Sequence, residues 1–176
     1  MEERIVKADP VAQPQEYQQE LLALLGGQDP VTVLTVTPQA VREQAGGLPD
    51  ELLERRPEPD EWSAAELLGH LWDAEIAYAF RARLILAQDE PPLIGYDQDA
   101  WAKLARPRFS DLLAAFTALR AANLVLATQT PEPLWSRSGI HSERGPTSFR
   151  LLTETMAGHD RAHLEQLRQT IAQVQT

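Results

Sequence analysis

Apolar positions recur every three or four residues along most of this chain, the spacing of helices that bury one face. Tyr17, Leu21 and Leu24 share such a face and predict a short helix over about residues 15–25. Asp29-Pro30 can cap and start a second helix, which the pattern carries to about Ala45. Val31 to Val36 is the one β-branched run, and Pro38 interrupts the pattern soon after it. Either the helix kinks at Pro38, or it stops and Thr37 caps a fresh one; the residues allow both. Pro49 to Pro59 reads as a polar connection. Ser63 and Glu66 have capping-box spacing and open a long helix to about Gln88, ended by Pro91-Pro92 and Gly95. A short helix is expected over Asp97 to Leu104. Ser110 is expected to cap the next long helix, to about Thr128, with Leu112, Phe116, Leu119 and Leu126 on one stripe. Thr130 to Pro146 reads as a long loop, after which Thr147 or Ser148 caps a final helix.

Principal helices with apolar stripes and no convincing sheet predict an all-α fold, a four-helix bundle with a short extra N-terminal helical segment. Residues 1–13 are expected to be a flexible segment and 14–176 a single domain. The connections are longer than bundle packing needs, which points to a site at one end of the bundle.

Composition narrows the function. The chain has 176 residues and no cysteine, so neither a disulfide framework nor a cysteine-based zinc site is open to it. The formal net charge is −10, which repels phosphate backbones, and no local basic patch is evident. Arg137 and Arg144 fall in one loop, but Glu143 sits between them. No apolar run of membrane-spanning length and no signal-peptide core stand out, so a soluble, cytoplasmic protein is expected, with no nucleic-acid or membrane partner.

The histidines carry the chemical signal. Of four, two fall in Gly158-His159-Asp160-Arg161-Ala162-His163, one helical turn apart. They occupy the apolar stripe itself: Leu152, Met156, His159, His163, Leu167, Ile171, Val174. Polar rings there need compensation, from a metal or from hydrogen bonds to neighbouring helices. His70 lies on an inward stripe of the long central helix, with Glu66 and Asp73 on the adjacent turns. If the two helices are neighbours, three imidazoles can hold one ion with a position left open. The His-Glu-x-x-His signature of metalloproteases is missing.

Trp62-Ser63-x-x-Glu66-Leu67-x-Gly69-His70-Leu71-x-x-Ala74-Glu75, followed downstream by His159-Asp160-x-x-His163-Leu164, resembles the DinB/YfiT-like superfamily. The resemblance covers most of the chain from about Pro30 and includes a Gly145-Pro146-Thr147 lead into the last helix. It implies a four-helix bundle and a metal site on His70, His159 and His163, with one divalent ion, zinc or nickel. Members use bacillithiol or mycothiol in S-transfer and isomerisation, and many have no assigned reaction. It therefore implies a metal-dependent thiol transferase or hydrolase acting on a small molecule. The other class of reading is a non-catalytic metal-binding bundle that works as a homodimer or through a protein partner.

Asp73, three residues after His70, is the candidate catalytic residue: a general base, or an acceptor for a ring N–H. The cleft is expected between the Gln88–Pro107 and Thr130–Pro146 loops. Asp160 reads as a surface charge, Asn123 as a buried register-setting amide, Trp62 as a staple at the helix entry, and His141 as solvated. Glu75 and Arg81 are not expected to pair.

Overall fold

A computed structural model describes residues 5–176. Residues 1–4 of the expected N-terminal segment lie outside that range. Within it, the backbone N–H groups of Lys7 and Ala8 donate to Glu20, and Ala8 is buried.

Four long helices form the body: α2 (Pro30–Ala45), α4 (Ala64–Ala87), α6 (Phe109–Gln129) and α7 (Phe149–Val174). They pack as a ring in which α2 touches α7 and α6, and α4 touches α7 and α6. Helix α1 (Pro14–Leu25) lies outside the ring against α7, and α3 (Asp50–Leu53) and α5 (Gln98–Ala102) are single short turns. This is the expected all-α architecture with its extra N-terminal helix.

The cap chemistry explains most of the helix starts. Asp29 accepts from Thr32 N at 2.8 Å, with Pro30 in the first turn of α2. Ser63 and Glu66 close a reciprocal capping box at α4, and Ser148, not Thr147, caps α7. Ser110 does not cap α6; the helix begins two residues earlier than such a cap would place it, after Arg108, with no side-chain cap. By length and composition α6 is apolar enough to span a bilayer, contrary to the sequence expectation. In the fold it is a wall of the bundle, burying Phe109, Leu112, Phe116 and a charged residue, Arg120.

Pro38 neither ends nor restarts α2, which runs through it. A proline has no N–H, so the carbonyl four residues earlier, Leu34 O, loses its helical donor. Arg120 Nη1 replaces it at 2.9 Å. The same guanidinium donates to Glu75 on α4 (Nε–Oε2, 2.8 Å) and to Asp160 on α7 (Nη1–Oδ2, 2.6 Å). Asn123 Nδ2 donates to the other Glu75 oxygen at 2.8 Å. Arg120 thus sits on α6 and bonds groups on α2, α4 and α7. Burial opposes its charge, but Asp160 and Glu75 together push its pKa up. Burial pushes the Glu75 carboxyl up, against Arg120 and Asn123. Asp160, expected at the surface, is fully buried, because α7 turns this face inward too. Asn123 is the buried polar residue the sequence suggested.

One departure is a small sheet where only loops were expected. Strand β1 (Pro92–Leu93) pairs in parallel with β2 (Ser138–His141), and β2 pairs antiparallel with β3 (Gly145–Ser148). The strands are too short, and too rich in glycine, proline and serine, to show a period-two pattern. Gly139 is needed in β2: a Cβ there would lie 2.7 Å from Pro91 O.

Candidate metal centre

Helix α4 carries His70 and α7 carries His159 and His163. Because these helices pack side by side, the rings meet: one ligand nitrogen from each lies within 4.8 Å of the others. His70 Nε2 and His159 Nε2 are 2.9 Å apart, and the ring centroids are 4.3–4.9 Å apart. The three residues singled out in the sequence therefore form one cluster. Two glycines, each one residue before a histidine, allow the surrounding approach. A Cβ on Gly158 would fall 2.1 Å from Leu21 O, so glycine lets α1 lie directly on α7. A Cβ on Gly69 would meet the guanidinium of Arg106, which packs there.

The donor set suits a cation. Gln166 Oε1, an acceptor, lies 2.9 Å from His163 Nδ1, so that nitrogen carries the proton and Nε2 keeps its lone pair. His159 Nδ1 is buried with no partner among the described residues. Burial holds His70 and His159 well below the ordinary histidine range, helped by the neighbouring His163. Burial brings His163 down to about 4, against the Gln166 bond. Three neutral imidazoles packed together turn ring nitrogens towards one another, and imidazole sets of this kind bind zinc and its transition-metal neighbours.

The same shifts fix a pH dependence. His163 and His141 fall from 6.5 to about 4, and His70 and His159 also fall. A depressed folded-state pKa contributes stability that is present above 6.5 and lost as pH falls towards 4. We expect the melting temperature of metal-free protein to drop between pH 7 and about pH 5, above the range where most carboxylates titrate. A flat profile in circular dichroism melts across that interval would contradict neutral, buried histidines.

Asp73 is buried but bonds no histidine ring; its Oδ2 accepts from Arg106 Nη2 at 2.6 Å. Oδ1 has no hydrogen-bond partner among the described residues. The Trp62 ring stands beside His70, centroids 5.0 Å apart, and packs on the core around α4. Trp135 is buried against Phe149, away from the centre. His141, at the end of the central strand β2, is buried and not solvated. Glu143 N donates to its Nδ1, which places the ring proton on Nε2, itself buried without a partner.

A cleft enclosing about 540 Å³ of empty space, its mouth included, opens beside His159. Both predicted loops contribute, Tyr96 and Gln98 from one and Arg144 from the other. Helix α1 adds Tyr17 and Leu21, α4 adds Tyr78 and Arg81, and α7 adds Thr155 and Met156. Burial pushes Tyr17, Tyr78 and Tyr96 up to about 12, so they stay protonated donors. The sequence reading missed Arg81, Arg144 and the tyrosines. They come from α1, α4, the β1–α5 connection and the β2–β3 turn, and nothing in their spacing joins them.

Fold and site together define a four-helix bundle with a three-histidine donor set at the edge of a cleft. The chain matches the DinB superfamily over residues 34–167 and belongs to it. Among solved structures it is similar to YfiT from Bacillus subtilis, described as a probable metal-dependent hydrolase with an unusual four-helix bundle topology. That likeness has a TM-score of 0.72 at 18% identity, covering 90% of this chain and 89% of the other, and shows the fold. A protein of Geobacillus thermodenitrificans, provisionally named a metal-dependent hydrolase, is 30% identical over 78 residues. The match spans 44% of this chain and 44% of that relative, less than half of its length.

Proposed function

We propose that this protein is a metal-dependent hydrolase of small molecules, with its divalent cation held by His70, His159 and His163. The observation that carries the reading is the convergence of three neutral imidazoles, one of which, His159, lines the cleft. The descriptions of YfiT and of the Geobacillus relative agree with it. A bound divalent cation supplies Lewis acidity and lowers the pKa of a water near neutrality.

The chain's own groups do the rest. Gln166 fixes the ring of His163, and Tyr78, bonded to Thr153 at 3.2 Å, stiffens the cleft wall. Asp73 is assigned the proton-accepting role on its place one turn from His70 and near Tyr96 of the cleft, with Arg106 holding Oδ2. Thiol-dependent S-transfer is the companion chemistry, with a low-molecular-weight thiol in the place of water.

The test is a panel of esters, amides and lactones assayed on protein as purified, after chelation, and after zinc is restored. Activity that chelation removes and zinc returns supports hydrolysis. Activity only when a thiol is added with an electrophile moves the reading to transfer. Turnover indifferent to chelation would sink both. On any substrate found, Asp73→Asn should lower kcat by about 10²–10⁴-fold while metal content stays at the wild-type level. Loss of metal in parallel would make Asp73 a support for the His70 turn and not a base.

A further inference from the structure

Arg81 and Arg144 both line the cleft beside His159. They come from elements far apart in the chain, Arg81 from α4 and Arg144 from the turn between β2 and β3. Each guanidinium presents five N–H donors. Arg81 spends one on Ile94 O at 2.7 Å, and its charge lies 5.9 Å from the centroid of the Tyr96 ring. Arg144 makes no hydrogen bond or ion pair among the described residues, and its Nε is buried without an acceptor. Such a donor is costly to leave unmade.

The turn that carries Arg144 is tied down. Gln15 Nε2 on α1 donates to Glu143 O at 3.0 Å, and Gly95 N donates to Ser142 Oγ at 3.2 Å. Arg144 is therefore held at the cleft and not swinging in solvent. The two cations oppose each other: burial lowers the Arg81 pKa and Arg144 lowers it further. Arg144 also depresses His159 and, with Arg81, His141. In a chain of net charge −10, two guanidiniums thus stand beside His159, with the Glu143 carboxylate near enough to raise the Arg81 pKa against them.

We propose that Arg81 and Arg144 form an anion subsite, so that the molecule entering this cleft carries a carboxylate or phosphate group beside the part that meets the histidine centre. This names a substrate class for the hydrolase reading and rests on it for the word substrate; the anion binding itself does not. A planar carboxylate or a phosphate accepts the paired N–H groups of a guanidinium. Tyr17 and Tyr96 add protonated hydroxyls at the rim, and Met156 and Leu21 offer apolar contact for the remainder.

The test is calorimetric titration of the purified full chain in low-salt Tris with benzoate, its neutral analogue benzamide, and inorganic phosphate, with metal content measured on the same samples. Arg144→Gln is the deciding variant, because no protein group depends on that side chain, and Arg144→Lys keeps the charge. We expect benzoate or phosphate to bind, benzoate at least about tenfold tighter than benzamide. Arg144→Gln should weaken the anion at least about tenfold, the loss of one charge-assisted hydrogen bond. Arg144→Lys should retain part of the affinity, and added chloride should weaken it. Equal affinity for benzoate and benzamide, unchanged anion binding by Arg144→Gln, or no binding of either anion overturns the subsite. Arg144-dependent binding in protein that takes up no metal would sink the hydrolase reading and leave the subsite standing.

Discussion

Replacing Arg120 with methionine should cost about 3–5 kcal/mol of stability, among the largest effects of any single substitution in this chain. The residue is 1% exposed and its guanidinium holds Glu75, Asp160 and the Leu34 carbonyl at once. Methionine fills much of the volume but leaves Glu75 on α4 with Asn123 alone, and orphans the Asp160 carboxylate on α7 and the carbonyl that Pro38 left open on α2. At roughly 2–4 °C per kcal/mol for a domain of this size, the melting temperature should fall by about 10 °C. The triple change Arg120→Met, Glu75→Leu, Asp160→Leu removes the charges together and should recover most of the loss. Thermal and urea unfolding of the two variants decide the matter. A single variant within about 1 kcal/mol of wild type would mean the network is energetically idle.

Zinc saturation should raise the stability of the wild type by about 4 kcal/mol when free metal is ~1,000 times its dissociation constant. Only the folded chain brings His70 on α4 against His159 and His163 on α7. Chelation should therefore lower the wild-type melting temperature by about 10 °C, and elemental analysis should find about one ion per chain. His159→Ala removes the ligand that reaches the cleft and should abolish both the bound ion and the response to chelator. The substitution also removes the ring that meets His70 Nε2 at 2.9 Å, so the decisive comparison is the response to zinc and chelator and not the metal-free melting temperature. Identical melts with and without zinc in the wild type would rule out a folded-state metal site.

The histidine cluster was legible in the sequence because its signal is local and periodic. His159 and His163 are one turn apart on an apolar stripe, and His70 lies on another. Capping chemistry showed two starts, Ser63 and Asp29, because a cap needs only its own turn. The small sheet was not legible, since strands of two and four residues carry no period. Asp160 was misread because one amphipathic stripe describes a helix with one neighbour, whereas α7 packs against α1, α2 and α4. Pro38 left two readings open, and Arg120, 82 positions away, decides between them by bonding the carbonyl that proline frees. Arg81 and Arg144 were hidden for the same reason: they line one cleft only after α4 and the hairpin are docked.

Helix α1 stands before residue 34, where the family match begins, yet Tyr17 and Leu21 form one wall of the cleft. It can lie there because Gly158 has no Cβ to meet Leu21 O. A larger residue at position 158 of this chain would push α1 away from α7. The histidines would be undisturbed, but the chamber beside them would be wider. The three histidines thus come from the stretch that the family model matches, while one wall of the cleft beside them is supplied by the stretch before it.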